Sequence, residues 1–330
     1  MFPLEQKKVL ITGATGFLGK QVAGRLLDQG VKVRAAVRNA VRAGWLADRG
    51  AEVIVGDIAD AQAMQAAAHG CQIVIHLAGI VTAFLPEAEF YRVNVEGTRA
   101  LAEAACAEQV ERFVHISSIV VYGLSGRNIQ ESTPYQKSGE AYCDTKLESE
   151  RVIRHFITER QLPAVIVQPS PVYGPGDQAW TIGPIQRIRS RQMILVNGGK
   201  GFQHPIYIED AVDGILAAAR GGKEGEAYIL CGPEPLRMKD FFGYYARMVG
   251  RSPSFPSMPK WLGLGIASAA EGFARISGRK PPFSRQDVLF AAIDVTYNGD
   301  KARRELGFVP KYDVEQGMQR VGEWMKGVNL

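Results

Sequence analysis

Cysteine is scarce. Cys71, Cys106, Cys143 and Cys231 are the four in 330 residues, and they form neither a Cys-x-x-Cys pair nor the spacing of a disulfide framework. That argues against a cross-linked secreted scaffold and leaves thiols expected to be reduced, in a cytoplasmic protein. His, Cys and Asp do not cluster at metal-ligand spacing either, so no metal is expected. Charge of one sign never forms a dense run: 39 Lys and Arg are scattered among 34 Asp and Glu, for a net +5, which excludes the basic stripe that tracks a nucleic-acid backbone. Long apolar runs are missing as well. The most apolar segment, 261–270, meets Glu271 and Arg275 soon afterwards and is too short to span a bilayer; a packed helix and surface contact with a membrane both remain open for it. The eight residues ahead of the first strand lack the apolar stretch of a secretion signal, and there is neither an internal repeat nor a low-complexity tail.

What the chain does have is core-forming material, 46% hydrophobic residues, enough for one large domain or two lobes. Short β-rich runs at 9–12, 31–37, 52–55, 73–77, 113–117 and 164–168 alternate with helical stretches at 20–29, 60–69, 86–107 and 140–160. The runs are continuously apolar, as strands covered on both faces must be. The expected fold is α/β, a doubly wound parallel Rossmann sheet. After Pro169 a series of prolines loosens the pattern, a helix resumes at 185–191, and the chain returns to the sheet at 227–230. We therefore expect a nucleotide-binding domain over 1–170, with a sheet return near 206–231, and a smaller, interleaved C-terminal substrate-binding lobe over 171–330.

Directly after the first strand stands Thr12-Gly13-Ala14-Thr15-Gly16-Phe17-Leu18-Gly19, opening a helix. Gly13, Gly16 and Gly19 permit a tight turn and close backbone approach to a pyrophosphate, whose charge the helix N-terminus attracts. A dinucleotide cofactor is the implication. The second strand ends Val33-Arg34-Ala35-Ala36-Val37-Arg38 with no acid to hold a ribose 2′-hydroxyl. Arg38 instead offers a cation for a 2′-phosphate, with Arg34 and Arg42 as weaker candidates, so NADP is favoured over NAD. Asp57 follows the third strand as a candidate acceptor for the adenine amine, and His76-Leu77-Ala78-Gly79 ends the fourth in a small-residue turn against which a cofactor can lie. His76 and His115 each close an apolar strand and read as core or supporting residues.

Tyr142 and Lys146, in Ala-Tyr-Cys-Asp-Thr-Lys, are four residues apart and share a helix face. Such spacing lets the ammonium lie beside the phenol and favour its ionised form. With the glycine turn, this pair points to phenol-assisted hydride transfer.

In this order, with Ser118 between them, these features resemble the extended short-chain dehydrogenase/reductase superfamily over nearly the whole chain. Further likenesses are Asn94-Val95-Glu96-Gly97-Thr98, Ser117-Ser118-Ile119-Val120-Val121-Tyr122-Gly123, Pro171-Val172-Tyr173-Gly174-Pro175-Gly176-Asp177, Ile206-Tyr207-Ile208-Glu209-Asp210, and the stretch 301–310. The resemblance implies that Ser118 bonds the substrate oxygen, that Tyr142 exchanges its proton, and that Lys146 binds the nicotinamide ribose and lowers the tyrosine pKa. Ser117 is the alternative serine. By the same likeness Thr15, Phe17 and Leu18 of the turn, Ile58 after Asp57, Leu77, Ala78, and Pro169 and Val172 beyond the sixth strand join the cofactor-binding set. Helices 86–107 and 140–160 would pair with a second subunit in a homodimer.

Two branches compete. The second strand looks like that of dihydroflavonol reductases, and the tail from Pro281-Pro282-Phe283 through Asp294-Val295-Thr296-Tyr297-Asn298 looks like 3β-hydroxysteroid dehydrogenase-like reductases. Nucleotide-sugar epimerases and dehydratases commonly carry an arginine where this chain has Gln203, and a neutral amide does not replace a bidentate guanidinium on a diphosphate. The favoured reading is an NADP-dependent oxidoreductase that interconverts a ketone and a secondary alcohol on an apolar or ring-bearing small molecule. An epimerase or dehydratase is second, and a non-catalytic dinucleotide sensor, against which the intact Ser118, Tyr142 and Lys146 argue, is third.

Overall fold

The computed structural model describes residues 2–81, 85–277, 281 and 283–328; Pro282 of the tail motif lies outside them. Seven strands form one parallel sheet: β1 (Lys8–Thr12), β2 (Lys32–Val37), β3 (Glu52–Val55), β4 (Ile73–His76), β5 (Arg112–Ile116), β6 (Ala164–Pro169) and β7 (Ala227–Leu230). Their spatial order is 3-2-1-4-5-6-7. The strands fall where continuous apolar runs predict them, because both faces are covered. Leu10 packs into a core with α2 (Ala61–Ala68), α3 (Gly97–Ala107) and α4 (Ala141–Arg160), while its neighbours Val9 and Ile11 join a core with α1 (Phe17–Asp28) on the other side.

This strand order sets the position of the site. The chain winds outward from β1 to β3 and then crosses back to place β4 on the other side of β1, opening a crevice at the carboxyl ends of β1 and β4. In doubly wound sheets ligands bind at such a switch point. Thr12 ends β1 in register with His76 of β4 and Ala36 of β2, so the glycine turn, Leu77-Ala78 and Arg38 all leave the sheet at one edge.

Beyond β6 the chain departs and returns repeatedly. Val172–Tyr173 pairs in parallel with Ile206–Tyr207, and between them runs α5 (Gly183–Arg189). Helix α6 (Ile208–Gly221) packs beside α1, and β7 completes the sheet. The chain then leaves through α7 (Met238–Met248), α8 (Lys260–Ser277) and α9 (Arg285–Ala291). Asp294–Tyr297 lies parallel to Ser125–Ile129, a pairing that joins distant parts of the chain. Finally α10 (Asp300–Leu306) and α11 (Val314–Lys326) close the fold, the latter on a capping box between Asp313 and Gln316.

The helix expected over 86–107 is interrupted. Glu87–Phe90 is α-helical, Tyr91–Glu96 widens into a π turn, and α3 follows. The widened turn holds the buried Asn94, whose Oδ1 accepts from Ile80 N–H at 2.7 Å while Nδ2 donates to Ile80 O and Thr145 Oγ1, each at 3.1 Å. Asn94 thereby ties the exit of β4 to α4, a polar clamp of the kind π turns frequently mark.

Candidate active site

Two of the three glycines in the turn are dictated by the protein itself. Gly13 has φ +75°, and a Cβ there would lie 2.7 Å from Ala78 N and Leu77 C; a Cβ on Gly19 would lie 2.1 Å from Gly13 O. The first glycine therefore brings the turn against the end of β4, and the third seats α1 on the turn. Gly16 is different. It is exposed, has an extended φ of −80°, and its Cβ would meet only Gly13 O, tightly, at 3.2 Å, so the turn is bare backbone where it faces solvent. The first-turn N–H groups of α1 are intrinsic donors at that spot, with no acid in the turn to compete. A pyrophosphate fits this cradle. Beneath it, Thr98 spends its proton on Asn94 O at 2.6 Å, so it accepts from His76 Nε2 at 2.9 Å and leaves His76 Nδ1 to accept from Thr12 Oγ1 at 2.7 Å. Burial pushes the His76 pKa down to about 3, which makes it a neutral brace between β1, β4 and α3.

Arg38 projects exposed just past β2. Arg34 does not share its freedom: it is buried, donates to Ala67 O and His69 O at 2.9 and 2.6 Å, and pairs with Glu52 at 2.9 Å. The expectation that Arg34 could also meet a 2′-phosphate is thus corrected, since a buried guanidinium committed to two carbonyls at the end of α2 and to Glu52 of β3 does not turn toward the crevice. Arg42 is exposed in the following turn. Asp57 Oδ1 accepts from Ala59 N–H at 2.9 Å and from Arg92 Nη1 at 3.0 Å. Burial works to raise its pKa, but the Arg92 bond, the Ala59 N–H and the charges of Arg92 and Arg38 together bring it below the usual value. Arg92 is a member of this charged cluster that sequence reasoning missed. Ile58 is buried against Gly97, where a Cβ would come within 2.7 Å of it, so its side chain holds α3 close to the crevice.

Ser118, Tyr142 and Lys146 are all buried at the end of β5 and the start of α4. Burial raises the Tyr142 pKa to about 12, opposed by a hydrogen bond with Ser118. The ammonium of Lys146 is not directed at the phenol: Nζ donates to Ile116 O, at the end of β5, at 2.6 Å. Burial lowers its pKa to about 8 against the opposing charge of Glu150. Ser117, the alternative serine, turns away and donates to Glu150 Oε2 at 2.5 Å. Glu150 has no exposed surface, yet it also accepts from Gln168, Tyr135 and Arg154. This fully bonded carboxylate supports the site one helical turn beyond Lys146. Pro169 pairs with Leu230 at the end of the sheet, and Val172 sits half-buried in the short strand beyond it.

Aromatic side chains from far along the chain complete the surroundings of Tyr142. The ring of Phe290, on α9, meets it edge to face at 6.2 Å, and Trp180 stacks on Phe290 at 6.5 Å. Gln286 Nε2 fastens α9 to Val81 O at 3.0 Å. Gln203 is wholly buried, and its two amide atoms have no hydrogen-bond partner among the described residues.

A phenol beside a serine hydroxyl, a buried lysine one turn on, and a phosphate cradle at the switch point define an NAD(P)-dependent oxidoreductase acting on CH–OH groups. The chain belongs to the NAD dependent epimerase/dehydratase family, whose model matches residues 9–231. Among its relatives, a 4-hydroxy-2-methyl-3-oxo-4-farnesyl-3,4-dihydroquinoline-1-oxide ketoreductase of Stigmatella aurantiaca is 29% identical over 94% of each chain. A 3-beta-hydroxysteroid dehydrogenase of Mycolicibacterium neoaurum is 28% identical over 94% of this chain and 89% of its own. The structure of epimerase Mth375 from Methanothermobacter thermautotrophicus superposes with a TM-score of 0.81 at 23% identity, covering 97% of this chain and 92% of that one.

Proposed function

We propose that this protein is an NADP-dependent oxidoreductase that interconverts a ketone and a secondary alcohol on an apolar or ring-bearing small molecule. The observation that carries the reading is the buried Tyr142 phenol, bonded with Ser118 and walled by Phe290, on which Trp180 stacks. The glycine turn would hold the pyrophosphate of the dinucleotide and Arg38 its 2′-phosphate, and the bound cofactor would supply or take up hydride. The protein supplies the rest. Ser118 donates a hydrogen bond to the substrate oxygen, and Tyr142 gives it the proton that neutralises the developing alkoxide. A phenol held protonated well past neutral pH suits that donor role. Lys146 spends one of its three N–H donors on Ile116 O, leaving others for a ribose hydroxyl. The names of the two relatives, a ketoreductase and a hydroxysteroid dehydrogenase, support a ring-bearing substrate.

Gln203 argues against a nucleotide sugar, whose diphosphate it would leave poorly paired inside the cleft. The test is direct. Apolar ketones should consume NADPH absorbance, while UDP- and dTDP-sugars should neither turn over nor raise the melting temperature of the NADP complex. A nucleotide sugar bound at micromolar concentration would overturn the reading in favour of an epimerase or dehydratase. Arg38→Ala should weaken NADPH by about 1.5–3 kcal/mol and leave NADH nearly unchanged, as titration of both cofactors would show. The same reading pairs α3 and α4 across a homodimer, which sedimentation velocity can measure.

A further inference from the structure

Helix α8 carries its large side chains outward. Trp261, Phe273 and Ile276 are 74%, 68% and 89% exposed, and Leu262 and Ile266 are exposed with them. At 100° per residue these five fall within an arc of about 140°, shared only with exposed Gly265, Ala269 and Gly272, so no charge interrupts the stripe. The packed face is made of small residues: Gly263, Ala267 and Ala274 are buried, and a Cβ on Gly263 would meet Val288 at 3.0 Å and Met258 Sδ at 3.3 Å. An ordinary packed helix would have the opposite arrangement. Contiguous exposed apolar surface of this kind marks a contact with something else.

The charge of the sequence that carries the stripe indicates what that is. Residues 247–285 contain seven Lys and Arg against one acid, Glu271, while the whole chain is only +5; the remainder of the chain is therefore slightly acidic. Glu271 itself is occupied, accepting from Arg285 N–H at 2.7 Å. A second copy of the same face would match the apolar stripe but oppose one net-cationic segment to another. A surface rich in anionic phospholipid satisfies both requirements at once, since apolar side chains enter the headgroup boundary while the basic residues meet lipid phosphates. Among the described residues no helix is long and apolar enough to cross a membrane, which leaves α8 lying along the surface.

We propose that the outer face of α8 docks this protein on anionic phospholipid membranes. The helix is also coupled to the candidate active site. Ser268 Oγ accepts from Arg285 Nη1 at 3.0 Å, and Arg285 opens α9, whose Phe290 walls Tyr142. Docking thus brings the aromatic wall one helix away from lipid, where apolar substrates dissolve. Only that last consequence rests on the proposed function.

The test is co-sedimentation of the full chain with extruded vesicles of equal parts phosphatidylcholine and phosphatidylglycerol, against vesicles of phosphatidylcholine alone. The wild type should pellet with the anionic vesicles and release at high salt. Phe273→Glu/Ile276→Glu should lower its partition coefficient roughly tenfold or more, with unchanged NADPH binding and circular dichroism. Should that variant fold poorly, a blue shift of tryptophan emission on adding anionic vesicles, present in wild type and lost in Trp261→Phe, carries the same information. The proposal is overturned if the wild type stays in the supernatant, if the double variant pellets equally well, or if the folded variant shows a lower mass by sedimentation velocity in the absence of lipid, which would make the stripe a self-interface. Vesicle binding needs no turnover, so its failure and that of the ketone-reductase reading are separately visible.

Discussion

Helices α4 and α8 are close in length, 20 and 18 residues, and they break the usual inside-outside rule in opposite directions. Helix α4 buries Tyr142, Thr145, Lys146, Ser149 and Glu150, whereas α8 exposes Trp261, Ile266, Phe273 and Ile276. Burying charge costs stability unless every group is paired, and exposing large apolar side chains forgoes the burial that folds a chain. Neither arrangement is explained by folding alone. The contrast shows that a departure from pattern has meaning only with its sign: polar residues turned inward assemble chemistry, and apolar residues turned outward await a partner.

The comparison breaks most readily at Tyr142. If the polar face of α4 exists for chemistry, Tyr142→Phe should retain cofactor affinity and lose roughly 10²- to 10⁴-fold in turnover; near wild-type rates would show the phenol to be merely packed. Next in size is Glu150→Ala, which leaves the buried Ser117 and Gln168 without their acceptor and the part-exposed Arg154 without its acid and should cost about 3–5 kcal/mol in denaturant unfolding, with loss of activity following from the loosened α4. A smaller effect concerns pH. Because burial lowers Lys146 to about 8 in the folded protein, the unfolded chain holds this proton more tightly above that pH. Lys146 therefore adds stability as pH rises from about 8 toward 10. Relative to Lys146→Met, the cofactor-free wild type should gain on the order of 1–3 kcal/mol across that window, and a flat difference would mean that the ammonium is better solvated than its surroundings indicate. Smallest is Phe273→Ser on α8, expected to leave stability within about 0.5 kcal/mol. A larger loss would place that ring in the core and erase the contrast.

Much of α4 and the sheet was legible beforehand, and little of what surrounds α8 was. Parallel strands covered on both faces must be apolar at every position, so β1 to β7 stand out as runs, and the glycine turn is readable because Gly13 and Gly19 answer to backbone contacts that exclude any Cβ. Tyr142 and Lys146 were readable for a local reason, their i, i+4 spacing, whereas Ser118 was singled out by the family resemblance. Other parts depended on contacts that spacing does not encode. Arg34 looked as available as Arg38, but the carbonyls that capture it belong to the end of α2 and the residue beyond, and its acid to β3. Glu150 read as one more polar residue on a charged helix, though its partners come from the residue after β5, from β6 and from the loop before α4. Phe290 reaches Tyr142, and Trp180 stacks behind Phe290, from segments far away in sequence. The helix over 86–107 was foreseen, but its π turn follows from Asn94 reaching back to Ile80, a demand of side-chain geometry that helix periodicity does not carry.

The late arrival of Phe290 has a consequence for biosynthesis. Domains form as the chain emerges, the N-terminal part first, and everything needed for the glycine turn, Ser118, Tyr142 and the seven strands has left the ribosome once residue 230 is out. Asp294–Tyr297 must still travel back to lie along Ser125–Ile129 and fasten α9 over the phenol. A nascent chain therefore has the makings of its cofactor cradle while the side of Tyr142 that Phe290 covers stands open to solvent, and a message truncated before residue 290 would encode the glycine turn and the phenol without that cover.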